Sequence, residues 1–185
     1  MSPASGSLAG RPIAVCGFMG SGKSTVGRRV ARSLGRPFFD SDELVEARLG
    51  RSIPDLFESG DEPLFRAEEA ALIADLVIQR PPGVISLGGG ALEDPDTRAL
   101  VLDSTAAVHL DRPIDAILLS RGLRASRPLL SGRTDAEIVE LYTERLVVLR
   151  SCPITVTFDV EGAEEVVHAV LAALAARGIG PEVDE

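Results

Sequence analysis

The sequence reads as an α/β protein, a parallel sheet covered by helices on both faces. Short apolar runs alternate with segments of helical spacing along nearly the whole chain, and there is no internal repeat or interdomain linker. A glycine-rich turn, Gly17-Phe18-Met19-Gly20-Ser21-Gly22-Lys23-Ser24-Thr25, joins the first apolar run to the first helical one. Asp40-Ser41-Asp42 and Gly88-Gly89-Gly90 also fall where apolar runs end, at the carboxyl edge where such sheets gather ligands.

Element by element, Pro12–Cys16 is a short apolar run bounded by turn residues, as a buried strand requires. Val26, Val30, Ala31 and Leu34 then recur at helical spacing, and Gly35 closes that helix as a C-cap. Pro37–Asp40 is a second strand, Glu43–Leu49 a helix ending at Gly50, and Ile53–Glu58 a brief helical piece. Pro63–Gln79 is a longer helix with Leu64, Ala67, Ala71, Ile73 and Val77 as its apolar positions, stopped by Pro81-Pro82. Val84–Leu87 is a strand, residues 94–102 a helix, Ala106–Leu110 a strand and Ile114–Leu119 a helix. After an arginine-rich stretch come a helix over Asp135–Arg150, a strand at Ile154–Phe158 and a helix at Glu164–Arg177.

At 185 residues the chain suits one domain, expected over 12–177, with a loose lead-in at 1–11 and a mobile tail at 178–185. No apolar run is long enough to span a membrane, and the first ten residues lack a signal peptide's apolar region, so the expected compartment is the cytoplasm. A formal charge of −9 argues against a nucleic-acid partner. Positive charge is instead concentrated locally: from Ser120 to Thr134 there are four arginines and no acid. Cys16 and Cys152 read as two buried thiols, with a disulfide left open.

The turn at 17–25 fits G-x-x-x-x-G-K-[ST], whose backbone N–H groups and following helix N-terminus cradle nucleotide phosphates. Lys23 is the chain's single lysine; the other 18 of its 19 basic residues are arginine. A compact ammonium on a flexible stem suits the β- and γ-phosphates better than a planar guanidinium does. The loop therefore implies ATP bound by Gly20, Ser21, Gly22, Lys23, Ser24 and Thr25, with Mg²⁺ on the Ser24 hydroxyl, one ion per monomer.

A second substrate has to be sought elsewhere. In Asp40-Ser41-Asp42, one residue could simply cap the next helix. The functional alternative gives Asp40 to Mg²⁺ through water, while Asp42 orients an acceptor hydroxyl and takes its proton. Arg66 and Glu69, three apart on one helix, suit an exposed ion pair if taken alone. Gly88, Gly89 and Gly90 form either a tight turn or a backbone surface that offers N–H donors to a carboxylate.

Taken in order, Gly-Phe-Met-Gly-Ser-Gly-Lys-Ser-Thr at 17–25, Phe-Asp-Ser-Asp at 39–42, Phe-Arg-x-x-Glu at 65–69, Gly-Gly-Gly at 88–90 and Arg-Pro-Leu-Leu at 127–130 resemble the shikimate kinase family. The resemblance runs from about residue 12 to 175. It implies a three-layer P-loop kinase fold with a five-stranded parallel sheet. The implied reaction is transfer of the ATP γ-phosphoryl group to the 3-hydroxyl of shikimate; a monomer is expected. By the same resemblance, Asp42 contacts the acceptor hydroxyls, Arg66 and Gly89 bind its carboxylate, and Glu69 is a pocket acid. Arg145 matches a second carboxylate-binding arginine, and Arg127 the catalytic arginine of a mobile lid at about 121–133. Arg121 and Glu161 fall near the expected adenine contacts.

The chain departs from the family pattern after Arg145, where x-Pro-x-Tyr is replaced by Leu146-Val147-Val148-Leu149, so Arg150 is an alternative carboxylate ligand. It also departs before Arg66, where Asp61-Glu62-Pro63 stands. A kinase for another hydroxylated acid, such as gluconate, is the alternative function. A guanine-selective switch would need Asn-Lys-x-Asp, and the lone lysine is already used. His109 and His168 have no Cys or His at ligand spacing and read as non-metal residues.

Overall fold

The computed structural model describes residues 10–119, 128–159 and 162–180. Five strands, β1 (Ile13–Cys16), β2 (Phe38–Asp40), β3 (Val84–Ser86), β4 (Ala106–Asp111) and β5 (Ile154–Thr157), form one sheet in the order β2-β3-β1-β4-β5. Every neighbouring pair is parallel; Ile13 of β1 lies between Val84 of β3 and Ala106 of β4. The helices are α1 (Lys23–Leu34), α2 (Ser41–Leu49), α3 (Ile53–Glu58), α4 (Glu62–Ile78), α5 (Pro95–Ser104), α6 (Ile114–Leu118), α7 (Asp135–Leu149) and α8 (Ala163–Ala175). A short 3₁₀ turn covers Pro128–Leu130.

Side chains of one strand alternate between two cores. Ile13 and Val15 of β1 face α1 and α8, packing with Val30, Leu34, Val170 and Leu174. Ala14 and Cys16 face the other way, onto Val45 of α2, Leu72 and Ile73 of α4, and Val101 of α5. A smaller cluster joins Phe18 and Met19 to Ile117, Leu130 and Ile138, which seats α6 and α7 over the glycine loop. Cys16 and Cys152 are free, buried thiols. Among the described residues no helix is long and apolar enough to cross a membrane.

Helix ends follow local chemistry. Gly35 adopts φ 68° and returns its N–H to Ala31 and Arg32 carbonyls. Helix α7 opens with a capping box between Thr134 and Glu137. Helix α2 begins two residues before the expected Glu43, because the Asp40 carboxylate accepts from the Asp42 N–H and caps it there.

One expectation is corrected. On α4 the buried residues are Phe65, Glu69, Leu72, Ile73, Leu76 and Val77, while Leu64, Ala67 and Ala71 are exposed. The segment is apolar on too many sides for spacing alone to set its phase. Near the C-terminus, Ile179 is buried in the α1/α8 core and donates to Leu174 O. Before β1, Arg11 Nη1 donates to Asp103 O at 2.7 Å, and the Arg11 carbonyl accepts from Arg36.

Candidate active site

The glycine loop links β1 to α1. At Gly17 the backbone has φ 154°, and a Cβ there would lie 2.6 Å from Ser21 Oγ and 2.9 Å from Leu110 O, so only glycine fits. Helix α1 starts at Lys23, whose buried ammonium donates to Phe18 O at 3.1 Å. Gly20 and Ser21 lie in the turn, Gly22 is the N-cap at φ 86°, and Thr25 is exposed on the first turn of α1. Arg112, just after β4, donates from Nη1 to Gly20 O at 3.0 Å and so braces the loop from outside. The Ser24 hydroxyl sits 3.4 Å from that of Ser86 at the end of β3.

Beside this loop is a cleft of about 290 Å³, a size that admits a small acid but not a macromolecule. Met19 and Ser24 border it on the side of the glycine loop, and Ile53, Pro54 and Phe57 of α3 and Leu129 wall it with apolar surface. Asp40, Asp42, Arg66, Glu69, Gly88, Gly89, Gly90 and Arg145, scattered over more than one hundred residues of sequence, all line it.

Local contacts explain the convergence. Ser41 is fully buried and its Oγ accepts the Gly88 N–H at 2.9 Å, which pins the end of β2 to the end of β3. A Cβ on Gly88 would collide with Glu69 Oε1 and lie 2.7 Å from Asp42 Oδ1. Glycine is thus needed there for room, since two carboxylates crowd the backbone. The capping reading holds for Asp40, which also faces the cleft.

Arg66 and Glu69 do pair, Nη1 to Oε2 at 2.7 Å, but the pair is not a surface one, because the Glu69 side chain is only 4% exposed. Burial pushes the Glu69 carboxyl above its usual range against the pull of Arg66, and nearby Asp42 adds to the rise. Glu69 Oε1 is buried with no hydrogen-bond partner among the described residues. For Arg66, burial alone would lower the affinity for its proton, but Glu69, Glu62 and Glu93 outweigh it and the guanidinium is held more firmly charged. It stacks over Phe65 at 5.0 Å.

Arg145 on α7 is 5% exposed and reaches the cleft despite the altered residues that follow it. Of those, Leu149 is buried in the core while Val147 stands 76% exposed. Arg150, the alternative, is exposed at the C-cap and does not line the cleft. Helix α7 is tied to the glycine loop by Tyr142, which packs edge-on against Phe18 at 5.3 Å and donates to Asp111 Oδ1.

Arg121, Arg124, Arg127 and Glu161 lie outside the described residues, as does most of the expected lid; of that segment, Leu129 meets the cleft and Leu130 is buried. Sequence reasoning missed Ser41, Arg112 and Glu93, whose partners are distant in sequence, and the apolar wall of α3. His109 is buried in β4, where burial lowers its affinity for a proton, and His168 is exposed. Among the described residues no cluster of three or more His, Cys, Asp or Glu forms a metal centre.

The model of the family described as shikimate kinase matches residues 19–175. A shikimate kinase from Rhodopseudomonas palustris is 38% identical over 168 residues, covering 90% of this chain and 82% of its own. One from Burkholderia thailandensis is 46% identical over 140 residues, 74% of either chain. Among solved structures, the shikimate kinase from Acinetobacter baumannii in complex with shikimate superposes with a TM-score of 0.83 at 30% identity, covering 90% of this chain and 93% of that one. Sequence, sheet order and the cleft beside the glycine loop agree, and the chain belongs to the shikimate kinase family.

Proposed function

We propose that the protein transfers the γ-phosphoryl group of ATP to the 3-hydroxyl of shikimate, giving shikimate 3-phosphate and ADP. One observation carries this reading: two guanidiniums, Arg66 and Arg145, and two acids, Asp42 and Glu69, line a single small cleft that opens onto Ser24 of the glycine loop. That set matches the chemistry of a carboxylated polyol placed next to a triphosphate.

In this reading Arg66 and Arg145 take the acceptor carboxylate, with the Gly89 backbone beside them. Asp42 orients the 3-hydroxyl and receives its proton as the new O–P bond forms and the bond from the γ-phosphorus to the ADP oxygen breaks. Glu69 Oε1 accepts from a second acceptor hydroxyl. Lys23 swings from the Phe18 carbonyl onto the β- and γ-phosphates, joined by Arg127 from the lid and with Arg121 and Glu161 near the adenine. Ser24 and Asp40 both line the cleft with hard oxygen donors, and the Ser24 hydroxyl lies 3.4 Å from that of Ser86, the register partner of Asp40, which fits Mg²⁺. When bound, Mg²⁺ would neutralise phosphate charge. The protein works as a cytoplasmic monomer.

The test is ATP consumption with shikimate, with gluconate and without acceptor. Turnover should depend on shikimate and be at least about a hundredfold lower in the other two reactions, since a cleft built for one set of polar contacts rejects poorly matched acceptors strongly. Equal turnover on gluconate, or none on either acid, contradicts the reading.

A further inference from the structure

The carboxylate clamp needs a part that neither the glycine loop nor the acidic motif supplies. Two guanidiniums meet at one backbone position: a Cβ built on Gly90 would lie 3.1 Å from Arg66 Nη2 and 3.2 Å from Arg145 Nη2. Like charges so placed repel, and long arginine side chains have many other rotamers in which to separate. A third charged tip stands at the same spot. Glu93 Oε2 is 3.1 Å from that Cβ position.

Glu93 holds Arg145 by one edge. Arg145 Nε donates to Glu93 Oε1 at 2.7 Å, and Nη2 donates to Oε2 at 3.4 Å. The other edge is left over: Arg145 Nη1 is buried without a hydrogen-bond partner among the described residues, 3.6 Å from the Cβ position of Gly89 in the cleft wall. Glu93 is itself well anchored. Its N–H donates to Gly90 O at 3.0 Å, and the next residue, Asp94, caps α5 by accepting from Thr97 N at 2.7 Å.

We infer that Glu93 is a positioning residue for acceptor recognition: it grips the Nε–Nη2 edge of Arg145, turns Nη1 into the cleft, and offsets the repulsion between Arg145 and Arg66. The inference rests on the proposed acceptor site. Glu93 does not touch the acceptor; it acts through the arginines. Its side chain is 46% exposed. Solvent therefore screens it, and the effect belongs in the range of a partly exposed ion pair.

The experiment compares the wild-type protein with Glu93→Gln, which keeps shape and loses charge, and Glu93→Asp, which keeps charge on a shorter stem. Each is assayed with shikimate and with its neutral methyl ester. For Glu93→Gln the shikimate KM should rise about two- to fivefold, with kcat, the ATP KM and the ester KM unchanged; Glu93→Asp should recover part of the loss. An unchanged shikimate KM overturns the inference. So does a lower one, which would make Glu93 a stand-in that the acceptor carboxylate has to displace. An equal rise with the ester would reduce Glu93 to a structural prop and also overturn it. No wild-type turnover on shikimate would strike the proposed function itself, and this inference with it.

Discussion

Glu69 shows most clearly what the cleft demands of single residues. Its carboxyl is held above the usual range by burial, and the charge of Arg66 only partly offsets that cost. A carboxyl raised in the folded state keeps a proton that the unfolded chain has already lost. Folding stability therefore falls as pH rises from the unfolded value through the folded one, and the deficit is complete above it. Glu69→Gln should accordingly melt at a higher temperature than wild type near pH 7, and the gain should vanish at pH low enough to protonate both states. The same change should raise the acceptor KM. Thermal melts across pH 3–8 check the first half; equal or lower Tm at pH 7 would mean that the Arg66 pair outweighs burial. Lys23 and Asp42 were singled out by short motifs with their own chemistry, and Arg66 and Glu69, which alone read as an exposed ion pair, were singled out only through the family resemblance. Ser41 and Glu93 were not, because their partners lie 47 and 52 residues away and only the fold joins them.

At the scale of elements, the strand ends do the positioning. The β3 turn is a wall built from backbone, and Gly88 is thin because Glu69 and Asp42 press on it from the cleft side. Gly88→Ala should push those carboxylates away, raising the acceptor KM by at least about tenfold while the glycine loop keeps its nucleotide affinity. Titration with a nucleotide analogue alongside acceptor kinetics separates the two. Loss of both affinities together would show that the turn supports the whole domain and not the acceptor side. The strands themselves were readable, since short apolar runs between turn residues leave few alternatives. The face of α4 was not. Its alanines and leucines satisfy more than one helical phase, and the true phase turns a polar Glu69 inward, which hydrophobic patterning cannot anticipate.

For the whole molecule, the order β2-β3-β1-β4-β5 brings the ends of β1, β2 and β3 side by side, and with them the glycine loop, the acidic motif and the triple glycine. Helix α7, arriving from late in the chain, closes the cleft with Arg145. The layered architecture was legible from alternation alone, because parallel strands need crossover helices. The fit between motifs on different strands was legible only through family resemblance, since no local rule says which strands are neighbours. An acidic protein with a charge of −9 thereby keeps Lys23 in the glycine loop and Arg66 and Arg145 in the adjoining cleft. In the proposed reading the regiochemistry of transfer follows from that arrangement, with the carboxylate clamp at one end of the acceptor and the phosphoryl donor at the other. The most direct measurement is a proton–phosphorus correlation spectrum of the product formed from MgATP and shikimate. A single phosphoester on the carbon-3 oxygen, formed one-to-one with ADP, is the predicted result; ADP without a phosphoester, or phosphate on another hydroxyl, would contradict it.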